Sequence, residues 1–268
     1  MGDRSGMEVF ATFDLAHAVA GFFVGVMVGL TGVGGGSLMT PVLVLFFHQN
    51  VKTAVGTDLL YAAITKMFGS AVHHSRQTVD WRIFRLLASG SIPASLVTLT
   101  TIQYLGKIGK DTEHVILGVL GGMLLVTAIA TLFQKQLMKF AGEHNDMRLR
   151  RAQVPTVALG AIIGVLVTIS SVGAGAIGVT ALLMLYPRLP VSRLVGTDIV
   201  HAVPLELIAG GGHWIIGDVN SGLLFNLLVG SIPGVIIGSL LSSRAPDHVL
   251  RPALAFVLTL SGLKLLTQ

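Results

Sequence analysis

The sequence predicts an all-α, polytopic membrane protein made of two inverted repeats, each a broken re-entrant helical hairpin followed by three transmembrane helices. Three observations carry this expectation: a charge-poor apolar composition, two glycine-rich breaks inside long apolar segments, and an internal duplication. Of the 268 residues, 52% are hydrophobic and only 12% are charged, about half the charged share of a soluble domain. A soluble globular protein is thereby excluded, and so is a disordered chain, which needs low hydrophobicity and high charge. At roughly 20 apolar residues per span, the length holds about eight spans and one modest loop, and no second, soluble domain.

The composition also limits the chemistry. Without Cys there are no disulfides, thiolate metal sites or thiol nucleophiles, and no metal or other cofactor is expected. The net charge of +5 does not point to nucleic acid, because a polytopic protein gathers Lys and Arg in its cytoplasmic loops anyway. The partners expected are the lipid bilayer and a small anionic substrate; nothing in the sequence sets an oligomeric state. Asp3, Glu8 and Asp14 precede the first apolar stretch, which makes a poor secretory leader, so no cleaved signal is read.

The first apolar segment runs from Asp14 to His48 and is interrupted at Thr31-Gly32-Val33-Gly34-Gly35-Gly36-Ser37. As one helix it would be about 50 Å long at 1.5 Å per residue, well beyond the roughly 30 Å hydrocarbon core. It must break or turn back. Further apolar segments span about 53–72, 83–105 and 115–133, completing a first transmembrane repeat over 1–133. The basic stretch 134–153 reads as a cytoplasmic linker, and 154–268 reads as a second repeat. In it, a long segment from Val154 to Tyr186 is broken at Ser170-Ser171-Val172-Gly173-Ala174-Gly175, and segments near 194–216, 223–241 and 249–266 follow.

The halves match residue by residue. Val55-Gly56-Thr57-Asp58 returns as Val195-Gly196-Thr197-Asp198 and Gly90-Ser91-Ile92-Pro93 as Gly230-Ser231-Ile232-Pro233, at a constant spacing of 140; Gly34 and Gly36 return at Gly173 and Gly175, 139 apart. A constant offset of this kind marks a duplication. Charge then orients the halves. Re-entrant hairpins would gather Arg76, Arg82, Arg85, the linker cations, Arg188, Arg193, Arg244 and Arg251 on one side of the membrane. Arg4, Lys52, Lys107, Lys110 and Lys264 would lie on the other. The positive-inside rule prefers this inverted arrangement to parallel halves, and inverted repeats with discontinuous helices are a common plan of secondary transporters.

Irregular backbone at membrane depth is tolerated only where it is enclosed by protein or lines a wet cavity. A half-helix starting at such a break aims unpaired N–H groups and a partial positive charge into it. An anion is the expected occupant, contacted by Gly34, Gly35, Gly36, Ser37, Gly173, Ala174, Gly175 and Ala176, and by Thr57 and Thr197. The alternative is that the glycines serve only close helix packing. Gly173-Ala174-Gly175-Ala176-Ile177-Gly178 has the literal form of a dinucleotide fingerprint, but that motif needs a preceding strand, and its flanks here are helix-length and apolar. Ser37 as an intramembrane nucleophile would need a positioned base, and its second-half counterpart is Ala176. No catalytic residue is assigned, and an enzyme is not expected.

Asp58 and Asp198 stand near the expected helix starts, either as N-terminal caps or, with His201 on the same helix face as Asp198, as proton-coupling groups. Lys66 and Glu206 occupy matching positions and read as a salt bridge across the pseudo-two-fold, with a substrate-facing Lys66 as the alternative. His73, His74 and His213 fall near helix ends, where a solvated or capping role is expected rather than metal ligation.

The run from Gly29 to Pro41, Ala54-Val55-Gly56-Thr57 and Gly90-Ser91-Ile92-Pro93 together resemble the glycine-rich first segment, the A-V-G-T helix start and the G-x-x-P motif of the TauE/SafE family. The resemblance covers nearly the whole chain. It implies a secondary transporter that exports a small sulfur-containing anion, sulfite or an organosulfonate, across a prokaryotic plasma membrane. The residue after A-V-G-T is commonly Ser in that family, whereas both halves here carry Asp. A passive anion channel is the other transport class left open.

Overall fold

The computed structural model describes residues 13–31, 36–75, 79–105, 112–144, 152–241 and 247–267. Among them it is all-helical, without strands. The first half contains α1 (Leu15–Thr31), α2 (Gly36–Leu45), α3 (Val51–Ser75), α4 (Trp81–Leu105) and α5 (Thr112–His144). The second contains α6 (Gln153–Ser170), α7 (Ala176–Leu185), α8 (Val191–Ile216), α9 (Ser221–Leu241) and α10 (Asp247–Leu266). Both apolar segments predicted to break do so. The difference lies at the linker, since α5 runs on past Phe133 to His144.

Local chemistry sets several starts. Asp14 precedes α1 and accepts the N–H of Ala16 at 2.9 Å and a ring nitrogen of His17 at 2.6 Å. The Ala16 bond, followed by His17, holds its carboxyl below the usual carboxylate range, as a capping acid at a helix N-terminus should be. Asn50 does the same for α3 by accepting the N–H of Lys52 at 2.9 Å.

Five helices are long and apolar enough among the described residues to cross a membrane: α4, α5, α6, α8 and α9. α3 is not one of them, because Lys52, Asp58 and Lys66 lie on it. Asp58 and Lys66 are nevertheless buried inside the protein.

Each broken segment folds back on itself. The hydroxyl of Tyr186, just after α7, meets that of Thr156, near the start of α6, at 2.6 Å. In the first half His17 stacks on Phe47 with ring centroids 4.2 Å apart. His17 is the repeat counterpart of Thr156, and Phe47 adjoins Phe46, the counterpart of Tyr186, so different side chains close the two hairpins.

The helix pairing is unchanged when the halves are exchanged. α1 packs on α9 as α6 packs on α4, and α3 packs on α8 while α5 packs on α10. Glycines give the directions. Gly21 faces Leu227 and Gly25 faces Ser231, so α1 and α9 run parallel; Gly160 faces Leu87 and Gly164 faces Ser91, so α6 and α4 do too. The equivalent helices α3 and α8 are antiparallel instead, with Gly56 against His213 and Asp218 and Gly210 against Leu60. α5 and α10, also equivalent, meet at Gly121 and Gly262. Following the chain through these contacts puts the ends of the bundle in two sets. One face carries the starts of α4, α6 and α8 with the linker, and the other carries the starts of α1, α3 and α9 with the end of α10.

The parallel pairs approach to backbone contact. A Cβ on Gly25 would stand 2.6 Å from the Ser231 carbonyl oxygen, and one on Gly164, its repeat counterpart, 2.3 Å from that of Ser91. Overpacking of this kind costs about 1–3 kcal/mol, which outweighs the roughly 1 kcal/mol that Ala gains over Gly inside a helix. Gly25→Ala and Gly164→Ala are therefore each expected to lower the melting temperature of the detergent-solubilised protein. Gly118→Ala, where a Cβ meets nothing within 4 Å, should leave it unchanged or higher. Equal melting temperatures for all three would show that the pairs are loosely packed.

Candidate functional site

The second hairpin tip is built by backbone conformation. α6 ends at Ser171 in the left-handed region (φ 58°), whose N–H bonds the Val167 carbonyl at 2.7 Å. Gly173 and Gly175 then adopt φ of 130° and 118°, which side chains disfavour, and their carbonyls accept the N–H groups of Gly178 and Val179 at 3.1 and 2.8 Å. The first N–H groups of α7, at Ala176 and Ile177, have no acceptor within the helix. Gly173, Ala174, Gly175 and Ala176 thus form the tip, with Ala174 and Ala176 buried. In the first half, Gly34 and Gly35 lie outside the described residues, while Gly36 and Ser37 open α2. No strand precedes Gly173, so the dinucleotide form of its motif has no supporting context.

Asp58 and Asp198 lie two turns inside α3 and α8, which start at Val51 and Val191. Neither caps its own helix, because the N-terminal N–H groups are out of reach. Each turns to the short helix of its own hairpin instead. Asp58 Oδ2 accepts the backbone N–H of Thr40 at 3.0 Å and its hydroxyl at 2.5 Å. Asp198 Oδ1 lies where a Cβ of Gly178 would be, 2.2 Å away, with the Gly175 backbone beside it. A carboxyl of the protein itself is thus set against each half-helix, at the start of α7 and one turn in from the start of α2.

Here the two repeats part. Thr180 is the counterpart of Thr40, yet its hydroxyl has no hydrogen-bond partner, and neither oxygen of Asp198 has one. One Thr–Asp contact is made and its mate is not. Asp58 Oδ1 and the neighbouring Ser171 hydroxyl are also unpaired.

Lys66 and Glu206 form the buried salt bridge expected at the pseudo-two-fold, so Lys66 is directed at Glu206. His201 does not hydrogen-bond Asp198. Its Nε2 lies 2.8 Å from the Ser91 hydroxyl, and Phe84 packs edge-on against the ring. Thr57 and Thr197 are spent on helix starts, since their hydroxyls accept the N–H of Asn220 at 3.1 Å and of Asp80 at 2.8 Å. His213 is buried rather than solvated, with ring nitrogens 3.0 Å from the Thr168 carbonyl and 3.2 Å from Asp218. The side chains of His73 and His74 lie outside what is described. Among the described residues, no group of His, Asp and Glu could hold a metal ion.

Sequence reasoning missed a cavity of about 90 Å³ on the linker side of the hairpin tips, lined among others by Thr31, Thr131, Ala176, Thr180, Val191 and Arg251. Arg251, near the start of α10, donates to the Gln134 side-chain oxygen on α5. Val191, at the rim, is 44% exposed. The repeats differ at this rim, where Val51, the mate of Val191, is 4% exposed; deeper in, Thr40 and its mate Thr180 are both buried, at 0% and 5%. The signal that could have found Thr180 was its 140-residue spacing from Thr40.

The family model described as sulfite exporter TauE/SafE matches residues 17–265. The chain belongs to this family. It is 38% identical over 248 residues to the "Probable membrane transporter protein YjnA" of Bacillus subtilis (strain 168), covering 92% of the chain and 97% of that relative. It is 27% identical over 245 residues to YdhB of the same organism, under the same description (91% and 97%). Over 226 residues it is 26% identical to the "Probable membrane transporter protein MJ0441" of Methanocaldococcus jannaschii (82% and 78%). No solved structure matches it. The TauE/SafE chain is accordingly a multi-pass membrane protein and a membrane transporter.

The buried ion pair yields a test of the two-fold. Removing one partner of a buried pair costs about 3–5 kcal/mol, whereas replacing both with apolar residues is often neutral. Lys66→Met alone should therefore destabilise the solubilised protein strongly, and Lys66→Met with Glu206→Met should recover most of the loss. Because the two positions are equivalent, the exchange Lys66→Glu with Glu206→Lys should also keep stability. An exchange as damaging as the single variant would mean that the two environments differ.

Proposed function

We propose that this TauE/SafE chain is a secondary transporter that exports a small sulfur-containing anion, sulfite or an organosulfonate, across the plasma membrane. The observation that carries this reading is the cavity. It reaches from the linker face to the start of α7, where a helix N-terminus and Arg251 supply positive charge inside an apolar bundle. The family's description names sulfite, and the positive-inside rule makes the linker face cytoplasmic, so the cavity opens toward the compartment from which an exporter loads. Antiparallel packing of equivalent helices supports repeats inverted across the membrane. Asp58 and Asp198 are the coupling groups in this reading. Two unit charges about 4 Å apart interact by about 4 kcal/mol at an effective dielectric near 20, so an anion at the start of α7 and an ionised Asp198 oppose one another, and protonation is linked to binding.

Sidedness is tested by single-Cys labelling in this Cys-free chain. A Cys at Phe13 and one at Leu266 should react from outside the cell, and one at Arg148 only after permeabilisation; labelling of either end residue from the cytoplasm alone would refute the arrangement. Function is tested in proteoliposomes with sulfite, sulfate, thiosulfate and sulfoacetate. Saturable flux of sulfite or sulfoacetate that responds to a pH gradient is expected. Asp198→Asn should still bind the anion but lose the pH dependence. Flux that neither saturates nor responds to the gradient would make the protein a passive channel.

A further inference from the structure

The hydroxyls lining the cavity are not equivalent. Thr31 donates to the Met27 carbonyl at 2.8 Å and Thr131 to the Thr127 carbonyl at 2.7 Å, each within its own helix. Those two are committed to backbone. Thr180 is 5% exposed, lines the same cavity, and its hydroxyl has no partner. A buried hydroxyl without a partner costs free energy, so it is kept for something that fills the space. Beside it Ala176 places the opening turn of α7, with N–H groups that no helical carbonyl accepts. Across the cavity, the Gln134 side-chain oxygen fixes Arg251, whose planar fork of donors suits an oxyanion. A hydroxyl donor, a helix start and a guanidinium thus converge on one small volume, and all three favour negative charge and oxygen acceptors.

Resting on the transport reading above, we infer that this cavity is an oxyanion site of the linker-open state, held by the Thr180 hydroxyl, the first turn of α7 and Arg251. The class of ligand is a small sulfur oxyanion or the sulfonate head of an organosulfonate. Its formation depends on conformation, as the repeats show. In the first repeat the Thr40 hydroxyl is turned onto Asp58 and Val51 is buried, whereas in the second the equivalent Thr180 hydroxyl makes no bond to Asp198, lines the cavity, and Val191 stands exposed at its rim. The opposite state exchanges these roles: Thr180 closes onto Asp198, and the anion loses its hydroxyl donor.

The test is calorimetric titration of the full chain in detergent with sulfite and, separately, with methanesulfonate. Relative to the parent, Arg251→Gln should weaken binding at least about tenfold, as expected for a charged hydrogen-bond donor. Thr180→Val should weaken it about threefold to tenfold, and Thr180→Ser, which keeps the hydroxyl, should bind as the parent does. Thr131→Val, equal in size and also lining the cavity, should bind like the parent, because its hydroxyl is committed to Thr127; this separates loss of a donor from a changed cavity shape. A parent that binds while Arg251→Gln and Thr180→Val bind equally well would overturn the site and leave the transport reading standing. A parent that neither binds nor transports any of the anions would overturn the transport reading, and the site with it.

Discussion

A helix broken inside an apolar solvent leaves N–H and C=O groups that only the protein can satisfy or enclose. This constraint governs the molecule, because the chain breaks two helices and must wrap both. The hairpins provide the first layer of enclosure, each returning to the face it left. The glycine-lined pairs α1 with α9 and α6 with α4 provide the second. In these pairs backbones approach until no Cβ fits between them, and the outer limb of each hairpin is held against a helix of the opposite repeat. With no hydrophobic force between helices in lipid, close packing through small residues is the available means of association. Each repeat therefore holds the outer hairpin limb of the other.

The relation between the halves is kept in helix pairing and relaxed in side chains. Helix pairing survives exchange of the halves, and so do the threonine bonds to Asn220 and Asp80. The ring pair His17 and Phe47 becomes the hydroxyl pair Thr156 and Tyr186, which shows that a hairpin closure needs two groups in contact and no particular chemistry. Lys66 and Glu206 are another departure. Two equivalent residues on antiparallel helices meet near the axis, where like charges would repel. Opposite charges at one repeat position are the solution that the axis permits.

Much of this was legible in the sequence. Composition gives the membrane class, the constant spacing gives the duplication, and the length of the broken segments rules out straight spans; these are periodic or cumulative signals, and they survive without knowledge of contacts. The Lys66 and Glu206 pair was legible for the same reason. The cavity was not. Thr180, Gln134 and Arg251 are isolated polar residues on three helices, and an arginine near a helix end reads as an interfacial anchor until the fold sets it opposite a half-helix start. The capping alternative for Asp58 and Asp198 rested on a boundary: both stand near the start of the apolar run, but α3 and α8 begin two turns earlier, which moves each aspartate from the end of its helix to the flank of another. The same shift gives Thr57 and Thr197 to the starts of α9 and α4.

That placement alters what the half-helices mean. A short helix starting in the middle of a membrane protein attracts an anion, and here the nearest one is tethered to the chain. Asp58 occupies its half-helix with two hydrogen bonds from Thr40, whereas Asp198 lies against α7 with neither oxygen bonded. An ionised carboxyl and a mobile oxyanion compete for the same partial charge, and repulsion of about 4 kcal/mol at about 4 Å prevents both from using it together. In the proposed reading, the substrate enters as Asp198 gives up its claim by taking a proton, and it leaves as Thr180 and Asp198 come together in the manner of Thr40 and Asp58. A serine at this position would carry no charge to compete, and no proton would have to accompany the anion. The aspartate is thus the residue through which a proton gradient can act on a site whose other members, a guanidinium, a hydroxyl and backbone N–H groups, do not change their charge across physiological pH.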